Sequence, residues 1–255
     1  MHTTVLVLGA VVAIAAAIRS TWSPCGQSML SQLTPVGEAS RGYRYSTTAA
    51  WFVIGSVVGG AMLGGATALL AVGVAAIAVT ATTALGMVAG LAIVSAAVDA
   101  GVLGIAPPFL LRQVNEDWLG RYRAWVYGSG FGWQVGTGVT TYIMTAAVFL
   151  TIALGALTAG PIAALALGIL FGLVRGLAVL LTARLRSTAE LFDLHRRFDA
   201  AGEPVRRAVI VVQLAVAIVA IGAAFGVVAA LLATAIALVP VAALGLRSRR
   251  TTSAA

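Results

Sequence analysis

Two short stretches and two lone charges are where this chain could do chemistry. The first stretch is Ser23-Pro24-Cys25-Gly26-Gln27, inside an apolar unit that ends near Thr34-Pro35. The second is Gly130-Phe131-Gly132-Trp133-Gln134, followed by Gly136-Thr137-Gly138. Proline removes a backbone donor and kinks or breaks a helix, and glycine weakens one. Both stretches therefore follow the outline of an interrupted helix with a glutamine just past the break, at Gln27 and Gln134. Broken helices at matching positions of two halves build central sites in membrane carriers. The broken-helix positions are Pro24, Gly26, Gly130 and Gly132.

The two charges are Asp99 and Arg175, each in an otherwise apolar segment. A charge in hydrocarbon costs at least about 2.5–3.5 kcal/mol and normally faces a partner or water. Their similar depth suggests an Asp99–Arg175 ion pair; the alternative is that each snorkels separately to the interface. Asp99 also reads as the one carboxylate at membrane depth. Arg19 is a weaker case of the same kind, and Gln213 reads as interhelical glue. Cys25, Gln27, Gln134, Asp99 and Arg175 are thus the transport or redox candidates.

Other chemistry is poorly supplied. Cys25 is the sole cysteine, so an intramolecular disulfide and a paired-thiol metal site are excluded. His2 is terminal and His195 falls in a charged loop. No phosphate loop, zinc spacing or nucleophile elbow occurs. No catalytic residue, cofactor or metal is assigned, and the reading leans away from an enzyme. Trp118, Tyr122, Trp125 and Tyr127 gather as an interfacial aromatic belt does.

The elements that position these residues are written in the charge pattern. Positions 45–98, 124–174 and 208–246 contain no Lys, Arg, Asp or Glu. A crossing needs about 20 apolar residues, so each interval holds more than one. The chain is 60% hydrophobic and 9% charged, with a mean hydropathy of +1.03, far from soluble usage. The expected fold is all-α: a polytopic bundle of six to seven spans in one transmembrane domain, 1–255. The first span begins near Thr4 and is a retained helix, because Arg19 follows its apolar run. The second and third turn near Gly73 and end at Pro107-Pro108. The fourth starts at Ala124 and the fifth runs from about Ala159 to Arg184. The last interval, as one helix, would be roughly 57 Å long, so two spans and a total of seven are preferred.

The net charge of +8 comes from sixteen arginines that punctuate the spans, and is not a nucleic-acid footprint. Under the positive-inside rule the Arg-bearing loops and the tail (Arg247, Arg249, Arg250) are cytoplasmic, and the N-terminus is outside. This places the chain in a bacterial cytoplasmic membrane, with the bilayer as its first partner. In the longest loop, Ser187-Thr188-Ala189-Glu190 is a capping box. It opens an amphipathic segment, 187–203, with Leu191, Leu194 and Phe198 on one face and a stop at Gly202 and Pro204. That segment reads either as lying on the inner leaflet or as a solvated connector. Glycines four apart (Gly55/Gly59, Gly60/Gly64, Gly86/Gly90, Gly128/Gly132/Gly136, Gly168/Gly172/Gly176) imply close helix packing and offer faces for a homo-oligomer.

Laying Gln27 on Gln134 sets Cys25 opposite Gly132 and suggests a 3+3 inverted repeat of halves 4–106 and 123–246. The Pro24-Cys25 pair, an Arg-bearing loop and Phe52-Val53-Ile54-Gly55 together resemble the CcdA/DsbD group of membrane thiol-electron carriers, within the LysE-type superfamily. The resemblance spans roughly residues 15–65 and, more loosely, the fourth span. It implies a cysteine in each of the first and fourth spans, cycling between dithiol and disulfide. Here Cys25 matches the first and Gly132 stands in place of the second. Exchange needs a resolving sulfur, so Cys25 either works with a partner protein's thiol or fills a packed bundle. The main functional reading is a small carrier of a solute, or of reducing equivalents with a partner. The alternative is a non-catalytic membrane scaffold or assembly subunit. A carrier should gather its polar residues on one midplane cavity; a scaffold should bury them separately and expose an apolar groove.

Overall fold

The computed structural model describes residues 2–105, 107 and 117–234, and among these every regular element is helical. α1 (His2–Ser20), α2 (Pro24–Gln32) and α3 (Pro35–Ser40) precede the long α4 (Tyr45–Ala76) and α5 (Ala81–Asp99). The short α6 (Trp118–Arg121) leads into α7 (Ala124–Thr137), α8 (Ala147–Leu157), α9 (Pro161–Leu177) and α10 (Thr188–Phe225). A 3₁₀ turn, Ala178–Thr182, extends α9. Five helices are long and apolar enough to cross a bilayer: α1, α4, α5, α9 with its extension, and α10. The fourth expected span is split into α7 and α8, neither long enough alone. A seventh falls largely outside the described residues; of it, 227–234 are helical. Pro108, Arg112 and the arginines of the tail also lie outside them.

The surface is apolar like the core, and a few large polar side chains are buried. Val7, Ile54, Leu69, Ile93, Ile162 and Val211 are exposed, whereas Arg175, Glu38 and Gln213 are among the most buried large side chains. An apolar exterior is stable against lipid and unstable against water.

α4 is the central post, and glycines set how closely its neighbours approach. On one side Gly55 and Gly59 meet α7, where a methyl at Gly132 would lie 2.0 Å from Phe52 O and one at Gly136 2.1 Å from Ser56 O. On the other, Gly60 and Gly64 meet α9, and a methyl at Gly168 would lie 2.4 Å from Gly60 O. Ser56 Oγ donates to Gly132 O at 3.0 Å, stitching the first seam. These seams use four of the five glycine series expected to pack. The fifth does not: a methyl at Gly90 would touch nothing within 4 Å.

Several expected boundaries move. The turn between α4 and α5 comes after Ala76 and not at Gly73, with Ala78 at φ +52°. α5 ends at Asp99, ahead of the prolines. Gly202 and Pro204 do not stop the amphipathic segment: α10 runs unbroken through Pro204. One proline forfeits one backbone bond, and nearby side chains brace that turn. Glu203 pairs with Arg206 at 2.7 Å and with Arg207 at 2.9 Å. Those two guanidiniums hold the Glu203 carboxyl down to about 2. On the apolar face of the segment, Phe198 packs against the turn between α1 and α2. Trp22 stacks on Phe198 with centroids 4.1 Å apart and donates from Nε1 to Phe198 O at 2.7 Å.

Candidate functional site

The polar side chains concentrate at the end of the bundle where α1, α5 and α9 finish, and they form three separate groups. The first surrounds the break between α1 and α2. α1 stops at Ser20, and Ser23 Oγ accepts from Gly26 N at 3.2 Å to cap α2. Pro24 takes the first helical position, where a missing N–H has no helical partner to lose. A methyl at Gly26 would lie 2.1 Å from Thr21 O, so glycine lets α2 fold back against the turn. Arg175 enters this break from α9: Nη2 donates to Ser20 O and to Ser23 Oγ, both at 3.3 Å. The arginine thus grips the carbonyl end of α1, where a cation is favoured. Cys25 is buried in an apolar cluster with Met29, Phe52 and Phe131, within electrostatic range of Arg175. Gln27 points away, donating to Asp199 Oδ1 at 3.5 Å.

The second group surrounds the break between α7 and α8. α7 is helical through Gly130 and Gly132, and ends only at Thr137, before Gly138 at φ +73°. The interruption therefore lies about Gly138 and not at Gly130 or Gly132, which are packing positions. Asp99 reaches across from α5 to accept from Ala146 N at 2.7 Å and from Thr145 Oγ1. A carboxylate is favoured at a helix N-terminus such as that of α8. Gln213 of α10 donates to the same carboxylate at 2.8 Å and to Ser95 Oγ at 3.0 Å, the interhelical role expected of it. Arg206 closes the end of α5 by donating to Asp99 O at 2.8 Å. Gln134 is half-buried, and its carbonyl accepts from Thr140 Oγ1 at 3.0 Å.

Asp99 and Arg175 therefore do not pair. Each serves a different broken helix: the carboxylate holds an amide end and the guanidinium a carbonyl end. The charged neighbours of Arg19 include Asp99, Arg206 and Glu203.

The third group escaped the sequence reading. Glu38 of α3 is fully buried and receives Tyr127 Oη at 2.6 Å, Thr48 Oγ1, and Arg41 Nη1 at 2.9 Å. It locks α3, α4 and α7 together. The three-residue spacing from Glu38 to Arg41 was the visible signal, but a loop carboxylate between Pro35 and an arginine pair reads as solvated. Asp99 is accordingly not the one buried carboxylate. Among the described residues, no three His, Cys, Asp or Glu side chains gather as metal ligands.

Chemically, the three groups tie helix ends to one another and do not converge on one cavity. Towards the opposite end, Thr67 and Thr151 bond to carbonyls of their own helices, at 2.9 and 2.8 Å. On the flank, Val11, Ile14, Ile18, Ala208, Val209 and Val212 line an apolar groove of about 340 Å³ between α1 and α10.

Comparison with known proteins brings out relatives of one kind. The chain is 32% identical over 180 residues to methylamine utilization protein MauF of Paracoccus versutus, covering 68% of this chain and 64% of that protein. It is 35% identical over 183 residues to MauF of Paracoccus denitrificans, covering 69% and 64%. With MauF of Methylophilus methylotrophus it shares 34% over 194 residues, covering 70% and 65%. The chain thus spans somewhat less than two thirds of the length of these relatives. No family model and no solved structure matches it. The likeness to CcdA/DsbD thiol carriers is overturned, since the relatives carry a different name. The packing explains the false lead: Gly132, set where a second cysteine belongs, has no room for any side chain. The chain is similar in sequence to methylamine utilization proteins MauF.

Proposed function

We propose that this chain is a polytopic protein of the bacterial cytoplasmic membrane that anchors or assembles other proteins serving methylamine utilization, and is not itself a catalyst. The observation that carries the reading is the 32–35% identity to MauF proteins. The geometry supports it independently. A carrier should gather polar groups around one cavity, whereas here they are spent on three separate helix ties. An apolar groove runs along α1 and α10. The N-terminus lies outside, with the Arg-bearing loops and the start of α10 in the cytoplasm. The two broken spans belong to halves 4–106 and 123–246, each presenting one interrupted helix to the other.

Deleting the gene tests the assignment. Growth on methylamine as sole nitrogen source should be lost and restored by the intact chain, while growth on ammonium is unchanged. Purified protein in liposomes should accumulate no labelled methylammonium. Unimpaired growth on methylamine would reject the assignment, and uptake by the liposomes would make the chain a carrier.

A further inference from the structure

We infer that the α1–α2 break is a binding site for a small monovalent anion, held by Arg175. Arg175 is only 1% exposed. Its Nε and Nη1 have no hydrogen-bond partner, and its Nη2 makes two long contacts, both at 3.3 Å. Ser20 Oγ, on the residue whose carbonyl Arg175 grips, is also buried without a partner. A guanidinium keeps its proton in proteins, and a buried charge left uncompensated is expensive. Arg19, whose Nε is likewise buried without a partner, has at least two carboxylates, Asp99 and Glu203, in electrostatic range. Arg175 has no such carboxylate: the ion pairs among the described residues involve Arg41, Arg196, Arg197, Arg206 and Arg207.

The surroundings offer partial compensation. The carbonyl end of α1 carries about half a negative charge, and the Phe171 ring stands 6.0 Å from the guanidinium carbon. Meanwhile the nine-residue α2 begins here, so its N-terminus adds positive potential at the same point. A guanidinium with unused donors, an orphan hydroxyl and a helix N-terminus together form an anion cradle. The guanidinium carries a single positive charge, which a monovalent anion balances. With Arg175 only 1% exposed, only a small anion such as chloride or formate is proposed. The anion acts as a structural element that holds the two halves of the broken helix at a fixed angle. This inference does not depend on the role in methylamine utilization.

The test is thermal unfolding of the intact chain in detergent at constant ionic strength, with chloride replacing methanesulfonate. A ligand of the native state raises Tm saturably with its concentration, so a saturable rise is expected, lost in Arg175→Gln. Ser20→Ala is the second variant. Removing an orphan hydroxyl alone is neutral or stabilising. If the hydroxyl holds the anion, the same change raises half-saturating chloride about ten-fold. Line broadening of ³⁵Cl⁻ by the wild-type protein, absent with Arg175→Gln, gives a readout independent of stability. Equal Tm in every anion without line broadening would mean that water alone hydrates Arg175, and would overturn the site. So would a chloride effect that survives Arg175→Gln, or one matched by sulfate at equal ionic strength.

Discussion

Asp99 shows how a membrane bundle tolerates a carboxylate without a direct salt bridge from its side chain. Its oxygens take a helix-terminal amide, a hydroxyl and an amide side chain, all supplied by neighbouring helices. Hydrogen bonds to a charged group contribute about 1.5–3 kcal/mol each, and orphaning a buried partner costs about 1–3 kcal/mol. Asp99→Leu strands Ala146 N and leaves the Gln213 amide with Ser95 Oγ alone, and should destabilise the protein by on the order of 3–5 kcal/mol. Asp99→Asn should be far milder, about 1 kcal/mol. The remaining carbonyl still accepts from Ala146 N. The new amide can donate to Gln213 Oε1, which has no partner in the wild type, once the Gln213 amide turns over. Denaturant titration of the purified variants distinguishes the two. Equal damage from both would show that the negative charge itself, facing Arg19, is what the site requires.

At the scale of elements, the seams of α4 with α7 and α9 hold the bundle by close backbone approach. In lipid no water is expelled when helices meet, so packing and interhelical hydrogen bonds must drive association. Gly132→Ala forces α7 off α4, since its methyl would sit 2.0 Å from a backbone oxygen. Overpacking typically costs about 1–3 kcal/mol and sometimes more, and with no flexible side chain to yield, the upper end is expected. Gly90→Ala, which meets nothing within 4 Å, should be neutral or slightly stabilising through helix propensity. Monodisperse yield on size exclusion should fall sharply for the first variant and hold for the second. The same pair marks what the sequence could disclose. Glycines four apart stood out in every series, but whether a series faces a helix or lipid depends on rotation about the axis, which spacing does not encode. Gly130 and Gly132 were read as a break for a related reason. A glycine for close approach and a glycine for a positive φ are the same letter, and it is Gly138 that turns the chain. The break at Pro24 was legible because proline has a local meaning, fixed φ and no donor. The side-chain partners of Asp99 were not, since they come from residues 46 or more positions away, and neither was the contact of Glu38 with Tyr127, 89 positions away.

At the scale of the whole molecule, the distribution of charge argues for one orientation in the membrane. The turns at 77–80 and 158–160 carry no charge and lie at one end of the bundle, while the arginines at 41, 44, 184 and 186 lie at the other. Moving an arginine to the far side of a bilayer is costly, so this asymmetry sets which end stays inside. The lone cysteine makes the orientation measurable, because Cys25→Ala leaves a background without thiols. Ile77 is 75% exposed in the first uncharged turn, and Ala189 is exposed at the start of α10. In that background Ile77→Cys should react with an impermeant maleimide in intact cells, and Ala189→Cys only after permeabilisation. The reverse pattern would invert the molecule and place its Arg-bearing end outside. A third probe, Ser253→Cys, decides how many times the chain crosses. In the proposed orientation α10 runs outward; Gly226 follows it at φ +91°, and helix resumes at 227. A seventh crossing returns the Arg247, Arg249 and Arg250 tail to the side of the other arginines, where the thiol is protected in intact cells. Free labelling of Ser253→Cys from outside would instead mean six crossings. The tail arginines would then have to be held outside against the positive-inside bias, and one broken helix would no longer have its counterpart in an equal half.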